Sequence, residues 1–182
     1  DNGRSQRLRS LLQEDRDVTL EAAEAIATDQ YVLAAERNVP MLKLGLGLYS
    51  VGASKDEAQD ITEAGEVLTD WDYTVKKNSR GAVLFAMVVR QKEFAEVATR
   101  LSKKVNLGDL RTGGQLVVKA ARQVRERFGR LDVEWQAFHR LRYGEKEVGV
   151  GGIGLGSQIT SLRVTGGTEL SPEGIEYVRV GT

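Results

Sequence analysis

EVGVGGIGLGSQITSLRV, residues 147–164, separates a nucleotide enzyme from something quite different. Within it Gly149, Gly151 and Gly154 satisfy G-x-G-x-x-G, the spacing of a dinucleotide-binding loop. Such a loop needs a strand before it and a helix after it, because the pyrophosphate binds the free N–H groups of the helix N-terminus. Residues 146–150 suit a strand. The QITSLRVTGGT that follows is β-branched and turn-rich, and it does not suit a helix. No βαβ repeat surrounds the loop, and the acidic residues roughly 20 positions on, Glu169 and Glu173, fall in a turn. The P-loop pattern fails as well, for want of a Gly-Lys-Ser/Thr. The glycines are therefore read as backbone devices, placed for positive φ or for close approach of another segment. A nucleotide site here requires a helix after Gly154.

The rest of the chain is compatible with an ordinary globular protein. It has 182 residues, 41% of them hydrophobic and 29% charged, enough for one domain with a sizeable core. Lys plus Arg equals Asp plus Glu at 26 each, the charges are interspersed, and no basic stripe carries interleaved aromatics. No nucleic-acid partner is expected. No apolar run approaches the roughly 18 residues that cross a bilayer. Cysteine is absent, which excludes disulfides, thiolate metal sites and a cysteine nucleophile. The chain opens on Asp1-Asn2-Gly3, without an initiator Met or a signal-peptide pattern, and stops within what reads as a strand. It is expected to be a processed chain or an excised piece.

Helices come first. RSQRLRSLLQE from Arg4 carries leucines at 8, 11 and 12 at helical spacing. Thr19 is placed to cap a second helix, with Glu21 favourable for its dipole; this helix should run past Ala34 and end before Pro40. LKLGLGLYSVGAS reads as a glycine-interrupted apolar connection. Ser54-x-x-Glu57 is a capping box for a helix reaching Trp71. Asn78-Ser79 then starts GAVLFAMVVRQKEFAEVATRL, whose first half is apolar nearly all round, as in a buried helix. Another helix runs from about Gly114 to Phe128 and closes at Gly129, a suitable left-handed residue. A short turn spans 132–141. Residues 146–182 then read as two or three antiparallel strands. The pattern, helical over 1–141 and strand-rich over 146–182, is α+β.

Two stretches carry a resemblance: LTDWDYTVKKNSRGAVLFAMVVRQ (68–91) and RFGRLDVEWQAFHRLRYG (127–144). Both are similar to the β-chain of the penicillin acylase family of N-terminal-nucleophile amidases, which includes acyl-homoserine lactone acylases and aculeacin-type acylases. The first resembles that family's Leu-x-x-Trp-Asp and Ser-x-Gly-Ala-x-Leu-Phe. The second resembles its Arg-Phe-Gly-x-Leu-Asp-Val-x-Trp and x-x-His-Arg-x-Arg-x-Gly. DNGRSQRLRSLL is similar to the segment after the family's oxyanion asparagine, with Arg4 and Arg7 at its two arginine positions. IATDQYVLAAERNVPML resembles the next helix, with Asp29 at its acidic position, and VGVGGIG a loop that usually reads Pro-x-Gly-Gly. Some positions depart. Gln136 stands where a glycine commonly follows the Trp, and Val148 or Gly149 replaces the usual proline. Arg4 follows Gly3 directly, where an aromatic often intervenes.

The resemblance implies a four-layer αββα fold for the whole enzyme and hydrolysis of the amide of N-acylated small molecules. It implies a Ser at the N-terminus of the mature β-chain that attacks the carbonyl, with its own α-amine as base. Backbone N–H and an asparagine side chain hold the oxyanion. Asp1 lacks a hydroxyl or thiol, so the nucleophile and that asparagine are expected outside this chain. The chain alone is expected to be inactive. Its implied partners are the remainder of the β-chain and the α-chain of one self-cut precursor, in a periplasmic or secreted enzyme. Calcium is implied for the full enzyme only; no EF-hand loop or comparable ligand cluster stands here, and no cofactor is expected within the chain. The alternative, from another class, is a non-catalytic scaffold or binding domain related to the family.

Arg4 is the candidate site residue. By resemblance it lies near the catalytic asparagine, where a guanidinium fork can hold the amide and orient the amine. The plain alternative is that it begins a surface helix. Asn2 sits in an Asn-Gly turn pattern rather than an oxyanion motif. His139, the sole histidine, is read as a packed histidine on one face of a helical turn with Trp135, without companions for a metal site. Trp71-Asp72 is read as fixing a helix end, and Ser79 as a cap, because no G-x-S-x-G elbow surrounds it. Lys76-Lys77 and Arg122-x-x-Arg125-x-Arg127 are read as solvated faces.

Overall fold

A computed structural model describes residues 3–14, 17–155, 159–161, 168–172 and 174–178. The chain forms two compact units that interleave in sequence. The first takes Asp1–Ala34, Tyr73–Ser79 and Trp135–Thr182; the second takes Ala35–Asp72 and Arg80–Glu134. Asp1 and Asn2 lie outside the described residues.

The chain starts with α1 (Gly3–Glu14) and α2 (Leu20–Ala27). Thr19 caps α2 as its sequence implies, its hydroxyl accepting from the Ala22 N–H at 3.2 Å. That helix stops at Thr28 rather than continuing past Ala34. Asp29 is the cause: its carboxylate accepts the Tyr31 N–H at 3.1 Å and removes that donor from the helical ladder. Residues 30–32 instead lie extended beside 73–75. Val32 N–H donates to the Tyr73 carbonyl at 2.9 Å, and Val75 N–H to the Gln30 carbonyl at 3.0 Å.

In the second unit the glycine-interrupted stretch is not a connection but the body of α3 (Leu33–Ser50), which contains Pro40. Pro40 is exposed, and so is Glu36, whose carbonyl loses the Pro40 donor on a solvent-facing side of the helix. Gly45 explains the rest. A Cβ there would lie 2.1 Å from the Leu110 carbonyl oxygen, and one on Gly114 would lie 2.2 Å from the Gly45 oxygen. Two backbones touch at this crossing, and only glycine permits it.

The helix α4 (Lys55–Asp70) begins with the full capping box of Ser54 and Glu57 and ends at Trp71. Gly81, at φ 96°, caps α5 (Ala82–Val89) and lets the Trp71 ring approach; a Cβ on it would fall 2.6 Å from the Trp71 Cβ. Every α5 residue from Ala82 to Val88 is buried. The expected single helix over 81–101 breaks here, and α6 (Phe94–Lys103) follows after a turn. A helix apolar all round and one that buries only Phe94 and Val97 make different demands on the core, and the chain turns between them. Gln91 occupies the turn, its buried amide donating to the Leu116 carbonyl at 2.7 Å. The long α7 (Leu107–Phe128) starts seven residues before the expected Gly114. Asn106 caps it by accepting from the Asp109 N–H at 2.9 Å, and Gly129 at φ 72° closes it as expected.

The first unit resumes with α8 (Trp135–Phe138) and, among the described residues, six short strands: β1 (His139–Tyr143), β2 (Lys146–Gly149), β3 (Gly154–Leu155), β4 (Ile159–Thr160), β5 (Thr168–Leu170) and β6 (Glu176–Val178). One sheet has the order β2-β1-β6-β5, and β3 pairs with β4. The fold class is α+β. Strand structure begins at His139, within the expected turn, because β1 and β2 form a hairpin across Gly144 and Glu145, with Gly144 at φ 59°. The sheet is mixed rather than purely antiparallel, since β1 and β6 run parallel with His139 opposite Glu176.

Candidate functional site

The glycine loop is a packing device. Gly149 presses on Gln136, and a Cβ on Gly151 would meet the Gln30 side-chain oxygen at 2.3 Å and the Val75 carbonyl at 3.1 Å. Gly152, at φ 89°, donates its N–H to the Val75 carbonyl at 2.9 Å and accepts from the Trp135 indole at 3.2 Å. Gly154 begins a strand, not a helix. The geometry that a pyrophosphate needs is therefore missing at this loop, and the nucleotide reading falls. Glu173 lies outside the described residues, and Glu169 sits in β5, not in a turn.

His139 opens β1 rather than sharing a helical turn with Trp135, yet the two rings still stack, 5.1 Å apart and 25° inclined. Its side chain is 0% exposed, with Nδ1 3.7 Å from Oε2 of Glu176, itself 0% exposed. A histidine so enclosed orders the sheet. Glu176 escaped the sequence reading, although its signal was present: it alternates with the buried Val178 and so stands on the inward face of β6.

Arg4 lies in the first turn of α1 and is exposed. One turn later Arg7 reaches Asp29 side-on, with Nε 3.3 Å from Oδ1 and Nη2 2.8 Å from Oδ2. Its guanidinium also lies over the Tyr31 ring, 4.5 Å from the centroid. Tyr31 meets the ring of Tyr73 edge-on at 6.3 Å. Tyr73 stands at φ 60°, the one positive-φ residue other than glycine among those described. The sequence marked Arg7 and Asp29 separately; the structure joins them.

The other singled-out residues are structural. Trp71 is buried against Phe85, with ring centroids 5.3 Å apart. Ser79 is buried and closes a turn instead of capping a helix: its hydroxyl accepts the Lys76 N–H at 3.0 Å and lies 2.8 Å from the Thr74 hydroxyl. Lys76 and Lys77 are exposed. Arg122 and Arg125 are not merely solvated. Arg122 pairs with Glu57 at 3.0 Å, and Arg125 with Asp60 at 2.9 Å and Glu63 at 2.6 Å. Those bonds, Glu63 first, raise the Arg125 pKa. Arg127 lies 3.7 Å from the Met87 sulfur.

Among the described residues no group of three or more His, Asp or Glu side chains is arranged to hold a metal ion. No described helix is long and apolar enough to cross a membrane.

A family model described as penicillin amidase matches residues 1–170. The chain belongs to the penicillin amidase family. It is thereby related to acylase-type amidohydrolases of the N-terminal-nucleophile class. A search of curated proteins gives no match. Within this member of the penicillin amidase family the described residues supply a helical unit, a mixed sheet and an arginine-bearing first helix.

Proposed function

We propose that this chain is part of an amidohydrolase that cleaves the amide between an acyl group and an amine-bearing head, of the penicillin or acyl-homoserine lactone type. The observation that carries the reading is the family match over residues 1–170. The nucleophile is a Ser at the N-terminus of the mature β-chain, upstream of Asp1. Its α-amine takes the hydroxyl proton, directly or through water, as the oxygen attacks the carbonyl. The proton passes to the departing amine, and water then releases the acid from the acyl-enzyme. An asparagine side chain and a backbone N–H hold the oxyanion. Arg4 supports that asparagine by charge-assisted hydrogen bonds.

The enzyme is exported, cuts itself from one precursor and assembles from both products into the αββα fold. Any calcium is assigned to its other segments. Expression of the full precursor tests the reading. Self-cleavage that exposes a Ser, with release of 4-nitroaniline from N-acyl-4-nitroanilides, supports it. A correctly folded precursor that neither cleaves itself nor hydrolyses any chain length would make the chain a scaffold homologue.

A further inference from the structure

The helix α1 bears Arg4, Arg7 and Arg9, the first two one turn apart, and none of its described side chains is fully buried. Leu8 and Leu12 on it are 39% and 46% exposed. Core packing therefore does little to fix where this helix points, and its polar anchors matter more. Arg7 is one such anchor. Its two parallel bonds to Asp29 leave the guanidinium plane no freedom to turn, and the Tyr31 ring lies beneath that plane. Each partner is itself held. Asp29 accepts the Tyr31 N–H, and residues 30–32 are bonded to 73–75. That second segment is tied in turn to Gly152 and, through Gly152, to the Trp135 indole.

We infer that Arg7 is a positioning residue for amide hydrolysis: clamped on Asp29 and Tyr31, it fixes the first turn of α1 and so the direction from which Arg4 reaches its asparagine. The inference rests on the role assigned to Arg4 above. Asp29 contributes a second effect. Guanidiniums at i and i+3 repel, and the Asp29 carboxylate cancels the charge of Arg7 so that the pair can share one face. Lysine cannot take the place of Arg7, since a single ammonium makes neither the fork nor the flat stack. A small tilt of the helix moves Arg4 at its tip, and misplacement of about 1 Å in an active site lowers turnover up to roughly a hundredfold.

The test uses the intact, self-processed enzyme and the N-acyl-4-nitroanilide it hydrolyses fastest. Arg7→Lys and Asp29→Asn should each lower kcat at least about fivefold with KM within about twofold, the pattern of lost positioning rather than lost substrate binding. The double variant should fall no further than the worse single one, because both remove the same clamp. Asp29→Glu, which keeps the carboxylate, should recover more kcat than Asp29→Asn. Arg7→Lys, retaining charge and length, guards against misfolding, with circular dichroism and self-cleavage as checks. If Arg4→Ala loses turnover while Arg7→Lys and Asp29→Asn stay within twofold of wild type, the clamp is not a positioning device. Recovery of both variants on assay well below their unfolding temperatures would show a structural role alone and overturn the inference. Absence of turnover in the wild-type enzyme would instead overturn the functional reading, and this inference with it.

Discussion

A Cβ placed on Gly149 would lie 2.4 Å from the Cβ of Gln136, closer than two carbons can approach without a bond. Both lie where the chain departs from the pattern it resembles: Gln136 stands where a glycine is common after Trp135, and Val148 or Gly149 where a proline is usual. Compensation between them is partial: the Gln136 side chain takes space that a Cβ at 149 would need, while the Gln136 carbonyl oxygen and Cα, 2.7 Å and 2.9 Å from that Cβ, bar one whatever side chain stands at 136.

This predicts coupling between the two positions. Gly149→Ala should cost about 1–3 kcal/mol of stability, as overpacking does. In a Gln136→Gly background the same change should cost measurably less, although the Gln136 carbonyl 2.7 Å away remains. Chemical denaturation of the four members of the cycle measures it; additive costs would refute the compensation.

The crossing of α3 and α7 should be equally selective. Gly45→Ala drives a methyl to within 2.1 Å of the Leu110 oxygen and should destabilise by about 3 kcal/mol or more. Gly47→Ala, two residues along the same helix, meets nothing within 4 Å and should stabilise by up to about 1 kcal/mol. Thermal unfolding of both variants should show shifts of opposite sign.

The crossing of α3 and α7 also shows why the sequence was only partly legible. Devices confined to a few residues could be read: Thr19, the box of Ser54 and Glu57, Gly129, and the misfit of the glycine loop with a nucleotide site. Each acts through bonds to its own neighbours. Gly45 and Gly114 are 69 positions apart, so glycines that announce a loop locally are tolerated in helices because each removes a clash for the other. The break after α5 follows from what Gln91 finds at Leu116. The parallel pairing of β1 with β6, and the enclosure of His139 with Glu176, depend on strands 37 positions apart. Of the candidate site, Arg4 and Arg7 were legible as helix residues, but the clamp on Asp29 was not, because the Asx turn that stops α2 was hidden within a helical pattern.

Acid should weaken the second unit through Glu57. The Ser54 backbone N–H first, then the hydroxyls of Tyr49 and Ser54, hold the Glu57 pKa below its ordinary 4.5. A depressed folded value means that the carboxylate stabilises the fold above the unfolded pKa, and that this contribution disappears as pH falls through the folded one. The stability gap between wild type and Glu57→Gln should therefore be full at neutral pH and close below 4.5. Unfolding midpoints across that range measure it; a gap that widened in acid would contradict the sign.

Arg4→Ala in the intact enzyme should reduce kcat by about tenfold or more while leaving the unfolding temperature nearly unchanged, since the side chain is exposed. Unchanged turnover would remove Arg4 from the site.

Locating the acyl adduct shows whether the attacking group lies elsewhere in the enzyme, with these residues as its frame. The processed enzyme, quenched in acid during turnover of an N-acyl substrate, is digested and its peptides are weighed by mass spectrometry. The added acyl mass is expected on the exposed N-terminal Ser, upstream of Asp1. An adduct on a side chain within residues 1–182, Ser79 included, would contradict it.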